Sequence, residues 1–558
     1  MKNYKYFLHI FFFIGLLSFV GCENDLNVEL EDDDDLLASD LFDGPDAYKR
    51  AIAGVYANLS LTSLDGATNS NITGLDPGTG QYMRGLFNLQ NLATDEAIWT
   101  FENDPGLRGI QRNSWDANNV LILGVFARAT FQVALANEFL RQTTGAKLDE
   151  RGVSAELREE ITTYRAEARV LRALAYYHLM DMFGRAPFLT ENDPVGFVEG
   201  PEYLRPELFE FIETELLEVQ EDLLDVNAGA ANEYARVDKG VAKMILAKIY
   251  LNAEVYLGEG NDRYADCLTT CQEIINSGYS LVDNYSYNFL ADNDSNGAQN
   301  EIIFPIVHDG TTTQNFGGTT ILIQGQVNGN TEALPTGESL GVQSGGFGGL
   351  FRLRKEFAEL FTSNPLFDND NRNTVVTQDV VLNEDGTVDS ATDRPIEIDD
   401  ITDNSTGYLI AKYSNLTSNG MAGSDPVFTD TDFPMFRLAD VYLMYAEAHL
   451  QGGGGDITTA TNYVNLLRER AFGDTSANIT ETDLTMDFLI DERARELHWE
   501  SHRRQDLIRF GLYSGGQYLW AYKGGPQNGS SISENLEVYP VPEQSRATNR
   551  NLGQNTGY

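Results

Sequence analysis

The sequence predicts a mainly α-helical protein in which helix–turn–helix units stack on one another, with an irregular lobe that carries a few short strands. Three observations support this fold class. Apolar residues recur with helical spacing over most of the chain, turns divide the helical stretches into pairs of roughly tetratricopeptide size, and residues 279–433 are rich in Gly, Asn, Thr and Asp. Helix pairs of this kind cannot bury their apolar faces alone, so they must stack.

The N-terminal segment has the pattern of a lipoprotein precursor. Residues 1–21 are predicted to be a signal peptide, because two lysines precede an apolar run that is too short to span a membrane as an ordinary helix. A small residue stands directly before Cys22, as a lipoprotein signal peptidase requires, so we predict that Cys22 becomes the lipidated first residue. Several acyl chains would anchor it to a membrane permanently. Residues 22–40 are acidic and are predicted to form a solvated tether.

Helical periodicity covers residues 41–278 and 434–558, which we expect to pack as one unit beside the loop-rich insertion lobe at 279–433. The predicted helices are 46–61, 118–143, 155–183, 206–226, 238–257, 262–276, 434–451, 456–472 and 484–511. Cys267 and Cys271 lie four residues apart in one of them, a spacing that favours buried thiols over a disulfide.

Charge and motifs exclude several functions. The net charge of −45 at pH 7 would repel a phosphate polyanion, so nucleic acid is not an expected partner. His498 and His502 have the spacing of a zinc pair on one helical face, but no third ligand is evident, so a structural role is favoured and no cofactor is expected. No nucleophile elbow, phosphate loop or dinucleotide fingerprint stands between a strand and a helix, so the chain is not expected to be an enzyme.

Four stretches of the chain carry a resemblance to a known family. They are Arg165–Gly184, Phe436–Ala448, Glu492–Gly511 and the tail Tyr539–Tyr558. Together with the lipoprotein start, they resemble the SusD/RagB family of nutrient-binding lipoproteins along the whole chain. The resemblance implies a right-handed superhelical scaffold of tetratricopeptide-like repeats, a non-catalytic glycan-binding function, and a SusC-like TonB-dependent transporter as partner.

The same resemblance implies an outer-membrane protein that is lipid-anchored and faces the cell exterior. Acidic residues behind Cys22 resemble the surface-export signals of such lipoproteins, and a plain acidic linker is the alternative.

Glycan capture needs aromatic faces that stack on sugar rings and polar groups that bond hydroxyls. Two turn-rich regions, residues 80–102 and 308–352, provide this mixture, and the resemblance likewise implies a shallow site formed by an N-terminal loop and the mid-chain insertion. The predicted ligand-binding residues are Tyr82, Arg84, Asp95, Trp99, Asn315, Phe316 and Phe347. Trp99 is the leading candidate, and for each aromatic residue a core-packing role is the alternative.

The predicted function is capture of oligosaccharides at the cell surface and delivery to the transporter. The acidic composition favours a neutral glucan or mannan over alginate or a sulfated polymer. Two other classes stay open. One is a surface glycoside hydrolase, because the 84 acidic residues provide many carboxylate pairs. The other is a helical-repeat scaffold that binds another surface protein.

Overall fold

The computed structural model of the protein describes residues 42, 44, 46–196, 198–226, 233–327, 334, 336, 338–343, 351–383 and 387–558. The signal peptide, Cys22, the acidic tether and Phe347 therefore lie outside the described residues. The chain divides into two units, residues 1–51 and residues 52–558. The elements below belong to the second unit, apart from the first residues of the first helix.

Helices account for most of the regular structure, and the mainly α, tetratricopeptide-like fold class is confirmed. Up to residue 278 the helices are α1 (Ala47–Ser60), α2 (Tyr82–Gln90), α3 (Leu107–Gln111), α4 (Val120–Gln142), α5 (Gly145–Glu150), α6 (Ala155–Phe183), α7 (Arg205–Glu218), α8 (Lys239–Leu251), α9 (Ala253–Leu257) and α10 (Tyr264–Ile275). Beyond residue 278 they are α11 (Gly318–Gln324), α12 (Lys355–Thr362), α13 (Leu438–Leu450), α14 (Ile457–Phe472), α15 (Met486–Leu497), α16 (Arg503–Arg509) and α17 (Glu543–Thr548).

The two longest helices begin and end where their local sequence directs. The Asn119 side chain accepts the backbone N–H of Leu121 at the start of α4, and Ser154 does the same for Leu157 at the start of α6. Helix α6 ends at Gly184, which has a φ of 66° and so adopts the left-handed conformation that glycine tolerates best. These caps fix the lengths of the helices that form the centre of the stack.

The helices pack in a continuous series. Helix α4 packs against α6, α6 against α7, α8 against α10, α10 against α13, and α13 against α14. Helix α4 is long and apolar enough to cross a membrane, but most of it is buried within the fold. In α10, Cys267 Sγ and Cys271 Sγ lie 4.0 Å apart, and both are free and buried, which confirms the prediction of buried thiols.

Strands are short and form antiparallel pairs throughout the described residues. The strands are β1 (Ala97–Trp99), β2 (Arg185–Pro187), β3 (Glu202–Leu204), β4 (Ile302–Ile306), β5 (Phe351–Leu353), β6 (Val375–Val376), β7 (Gln378–Leu382), β8 (Val388–Asp393), β9 (Leu409–Ile410) and β10 (Phe433–Arg437). They pair as β1–β5, β2–β3, β4–β10, β6–β9 and β7–β8. The β1–β5 pair places Trp99 opposite Phe351 and so joins the N-terminal helices to the middle of the chain.

The predicted helix at 484–511 is wrong in its extent, because the chain leaves the helical conformation between α15 and α16. Trp499 and Ser501 have φ angles of 61° and 66°. The backbone N–H of Trp499 donates to the buried carboxylate of Glu96, so a contact distant in sequence outweighs helical spacing. His498 and His502 consequently do not share a helical face, and within the described ranges no group of three metal-ligating side chains is placed to hold an ion.

Buried ion pairs hold the C-terminal helices in place. The Arg437 guanidinium binds Glu301 at 3.0 Å and both Glu496 and Glu500 at 2.6 Å, and all four side chains are at most 1% exposed. Burial opposes ionisation of Glu496, but the surrounding guanidinium groups outweigh it and hold its pKa well below its usual range. The Arg- and Glu-rich stretches of the sequence therefore build the interior of the scaffold.

Candidate functional site

A cleft of about 650 Å³ is bounded by α2, β1, the start of α4 and residues 74–79. Three of the predicted ligand-binding residues line it: Arg84, Trp99 and Phe316. A second cavity, of about 260 Å³, lies between residues 53–61 and β4. Its lining is mainly apolar and contains none of the predicted residues, so the first cleft is the candidate site.

Arg84 presents a guanidinium group to the cleft from the first turn of α2. The Cζ atom of its guanidinium group lies 5.6 Å from the ring centre of Trp99 and 5.3 Å from that of Phe351. Burial lowers the pKa of Arg84 to about 10, against the attraction of two nearby carboxylates, so the group stays charged at pH 7. Its Nη1 atom is buried and has no hydrogen-bond partner among the described residues. A buried donor left in this state costs about 1–3 kcal/mol, which a ligand can recover.

Trp99 is held rigidly at the end of β1. The side chain of Gln111 accepts the backbone N–H of Trp99 and donates to its carbonyl oxygen at 3.2 Å. The ring lies 4.2 Å from that of Phe351 and 5.5 Å from that of Phe101, and the residue is only 4% exposed. Trp99 therefore packs in the interior and also lines the cleft, and its buried Nε1 donor has no partner in the described structure.

Asn88 lines the same cleft and was not among the predicted residues. It follows Arg84 by four positions in α2, so both side chains lie on one face of the helix. Its Oδ1 atom is buried and lacks a partner in the part of the chain that the structure describes. Residues that line the cleft thus carry two unpaired buried donors, on Arg84 and Trp99, and one unpaired buried acceptor, on Asn88.

Phe316 also lines the cleft; it is half-buried, and its ring centre lies 5.0 Å from that of Phe428. A Cβ atom at Gly78 would approach within 3.0 Å of Phe316 Cβ, so glycine permits this close contact between the two loops. Asp76 and Asp104 stand exposed at the rim of the cleft. An aromatic wall, interior polar atoms and rim carboxylates are thus brought together in one place.

Gln81 connects the walls of the cleft. Its Oε1 atom accepts the backbone N–H groups of Arg84 at 2.8 Å and of Gly318 at 3.0 Å. Its Nε2 atom donates to the carbonyl of Leu59 at 2.8 Å. One buried side chain therefore fixes α2, which carries Arg84 and Asn88, against α11 and the end of α1.

The three other predicted residues that the structure describes do not line the cleft, because interior partners take up their polar groups. The Tyr82 hydroxyl and His178 Nδ1 are 2.8 Å apart. The Asp95 carboxylate accepts from Arg503 at 2.8 and 2.6 Å. The buried Asn315 side chain bonds the backbone of its own loop, accepting the N–H of Gly317 at 2.9 Å.

The chemistry of the cleft suits binding of a polyhydroxylated molecule. A sugar hydroxyl both donates and accepts hydrogen bonds, so neighbouring hydroxyls match a set of two donors and one acceptor. The carboxylates that line the cleft are both exposed at its rim.

Comparisons with known proteins agree with this architecture. The sequence model of the SusD family matches residues 319–558. The chain is 33% identical over 533 residues to the starch-binding protein SusD of Bacteroides thetaiotaomicron, covering 90% of this chain and 91% of that protein. It is 30% identical over 379 residues to the SusD-like protein P25 of Formosa agariphila, covering 62% and 63%.

Solved structures of similar fold extend over nearly the whole chain. A SusD homolog from Bacteroides thetaiotaomicron has a TM-score of 0.70 at 20% identity, covering 96% of this chain and 100% of that chain. The surface glycan-binding protein A of the same organism, solved in complex with laminarihexaose, has a TM-score of 0.64 at 21% identity, covering 91% and 98%.

Proposed function

This chain belongs to the SusD family, and from that premise we propose that it captures oligosaccharides at the cell surface and delivers them to a SusC-like TonB-dependent transporter. The observation that carries the proposal is the set of unpaired polar atoms in one cleft: Arg84 Nη1, Trp99 Nε1 and Asn88 Oδ1. Buried polar groups in folded proteins are almost always paired. Unpaired buried atoms occur elsewhere in the described residues as well, but these three belong to residues that line one cleft, so we take them as groups that a ligand pairs once the side chains that cover them shift.

The ligand that we propose is a neutral glucan or mannan oligosaccharide. One relative is named as starch-binding, and one structural neighbour was solved with laminarihexaose. In this chain, Phe316 provides an apolar face for a sugar ring, while the interior atoms pair its hydroxyls. The strongly acidic composition of the chain agrees with an uncharged ligand.

The cellular location that we propose follows from the N-terminal sequence. Lipidation at Cys22 would anchor the protein in the outer membrane, and the acidic residues that follow would place the folded part outside the cell. A transporter partner in the same membrane then receives the captured oligosaccharide. The protein binds its ligand without cleaving it.

Asn88→Ala tests the glycan site, because Asn88 makes no hydrogen bond within the described structure that the substitution would break. We expect the affinity for the cognate oligosaccharide to fall about tenfold, which corresponds to one lost hydrogen bond of about 1.4 kcal/mol. Isothermal titration with malto-, laminari- and manno-oligosaccharides measures this change. The free energy of unfolding should fall by much less than for a residue with satisfied bonds.

Asn293→Ala is the matched control. Asn293 is as deeply buried as Asn88, but its side chain donates to the carbonyls of Asn288 and Asp432, both at 2.9 Å, and it does not line the cleft. The Asn293→Ala variant should have a lower free energy of unfolding than the wild type and the same affinity for the oligosaccharide. If Asn88→Ala behaves like this control, or if the purified protein releases sugars from a polysaccharide, the proposed function is wrong.

A further inference from the structure

Two carboxylates stand at the entrance of the cleft on separate loops. Asp76 belongs to the loop 74–79, where its Oδ1 atom accepts the backbone N–H of Thr79 at 3.1 Å. Asp104 lies in the turn between β1 and α3. Both are exposed and both line the cleft, so a ligand that enters must pass close to two negative charges.

Arg84 is the only cation among the described residues that line the cleft. Burial lowers the pKa of Arg84, and the negative charges of Asp76 and Asp104 raise it, so both carboxylates attract the guanidinium group. The attraction that Arg84 could offer to an anionic sugar is therefore already offset by two carboxylates. The lining as a whole carries more negative than positive charge.

The unpaired acceptor on Asn88 is a second, independent indication that the cleft favours an uncharged ligand. The Oδ1 atom of Asn88 needs a hydrogen-bond donor. A sugar hydroxyl can supply one, whereas an ionised carboxylate or a sulfate group has no proton to donate. An acidic substituent at this position would leave Asn88 unpaired.

From these observations we infer that Asp76 and Asp104 are specificity residues, which make the cleft select uncharged oligosaccharides against uronate-containing and sulfated ones. The inference rests on the proposed glycan-binding function and gives it a mechanism at two named residues. The acidity of the whole chain is a separate effect, because distant charges are screened by salt while charges at the rim act at short range.

The test measures the selectivity of the wild type and of the double variant D76N/D104N by isothermal titration. The neutral probes are maltohexaose, laminarihexaose and mannohexaose, and the anionic probes are hexameric oligogalacturonate and oligomannuronate. At low ionic strength we expect the wild type to bind its best neutral probe at least about tenfold more tightly than either anionic probe. In the double variant the ratio of neutral to anionic affinity should fall about fivefold or more. The difference in this ratio between the wild type and the double variant should shrink as salt is added.

The control is D389N/D487N, which removes the same charge at two exposed positions that do not line the cleft. Its selectivity ratio should equal that of the wild type. The inference is overturned if the control changes the ratio as much as D76N/D104N does, if D76N/D104N leaves the ratio unchanged, or if the wild type prefers an anionic probe. Failure of the wild type to bind any of the five probes would instead remove the proposed function, and the inference with it.

Discussion

Replacing Trp99 with phenylalanine separates its two roles, packing in the interior and hydrogen bonding to a ligand. Phenylalanine keeps an aromatic ring against Phe351 and removes the Nε1–H donor, which has no partner in the described structure. No hydrogen bond of the folded protein is lost, so the cost in stability is only that of a smaller ring. Binding should weaken by about 1 kcal/mol, or roughly fivefold, if a sugar oxygen accepts from Nε1.

Replacing Trp99 with alanine tests its packing role instead. Trp99 is 4% exposed and contacts Phe351 at 4.2 Å, so truncation to alanine should cost about 3–5 kcal/mol of unfolding free energy. Titration with the cognate oligosaccharide and denaturant unfolding on both variants measure the two effects. Undiminished affinity in Trp99→Phe would show that Nε1 does not contact the ligand, and an unchanged stability of Trp99→Ala would contradict the packing described above.

Three further predictions concern the anchor, the pH dependence and the buried ion pairs. Cys22→Ala should abolish acylation and release the protein from the membrane. Membrane fractionation and surface labelling of intact cells measure this, and a variant that fractionates and labels as the wild type does would contradict the prediction. Burial raises the pKa of Glu96 to about 7, so its protonated form stabilises the fold at low pH and this contribution is lost as the pH rises through 7. Between pH 5 and 8 the stability of the wild type should therefore fall by about 2.5 kcal/mol more than that of Glu96→Gln, measured by unfolding at each pH, and equal profiles would count against it. Arg437→Ala removes the one guanidinium that Glu301, Glu496 and Glu500 share and leaves these buried carboxylates with fewer cations, so it should cost about 3–5 kcal/mol. Arg546→Ala, at an exposed ion pair, should cost less than about 1 kcal/mol, and equal losses would refute the distinction.

The sequence predicts a helix well where caps at both ends and a long run of helical spacing mark it. The helix predicted at 155–183 is observed as Ala155–Phe183, because a serine cap, a long apolar stripe and a terminal glycine mark it. Helix α2 spans only nine residues, so it contains no comparable run of helical spacing. The region that holds it, residues 80–102, is therefore interpreted from sequence as turn-rich, and only the tertiary structure reveals the helix.

The candidate site is partly predictable for the same reason. An aromatic residue and an arginine among turn signals identify Trp99 and Arg84, but the importance of Asn88 depends on knowing that α2 is a helix. Asp95 matches the pattern equally well, yet its carboxylate accepts hydrogen bonds from Arg503, which is 408 positions away in sequence. A sequence pattern shows which groups are present, and it does not show which of them are already paired.

The ion-paired carboxylates of the scaffold and the polar groups beside the cleft have different roles in this protein. Glu496 and Glu500 are each bound by buried cations, so they have no capacity left for a ligand. The cleft residues Arg84 and Asn88 lie on α2. The Gln81 side chain ties the start of this helix to the end of α1, since it accepts the backbone N–H of Arg84 and donates to the carbonyl of Leu59. Their own side chains are therefore not needed to hold the helix. Because the support of the cleft comes from neighbouring residues, its lining atoms can remain unpaired in the free protein, and the free energy of pairing them becomes available for binding.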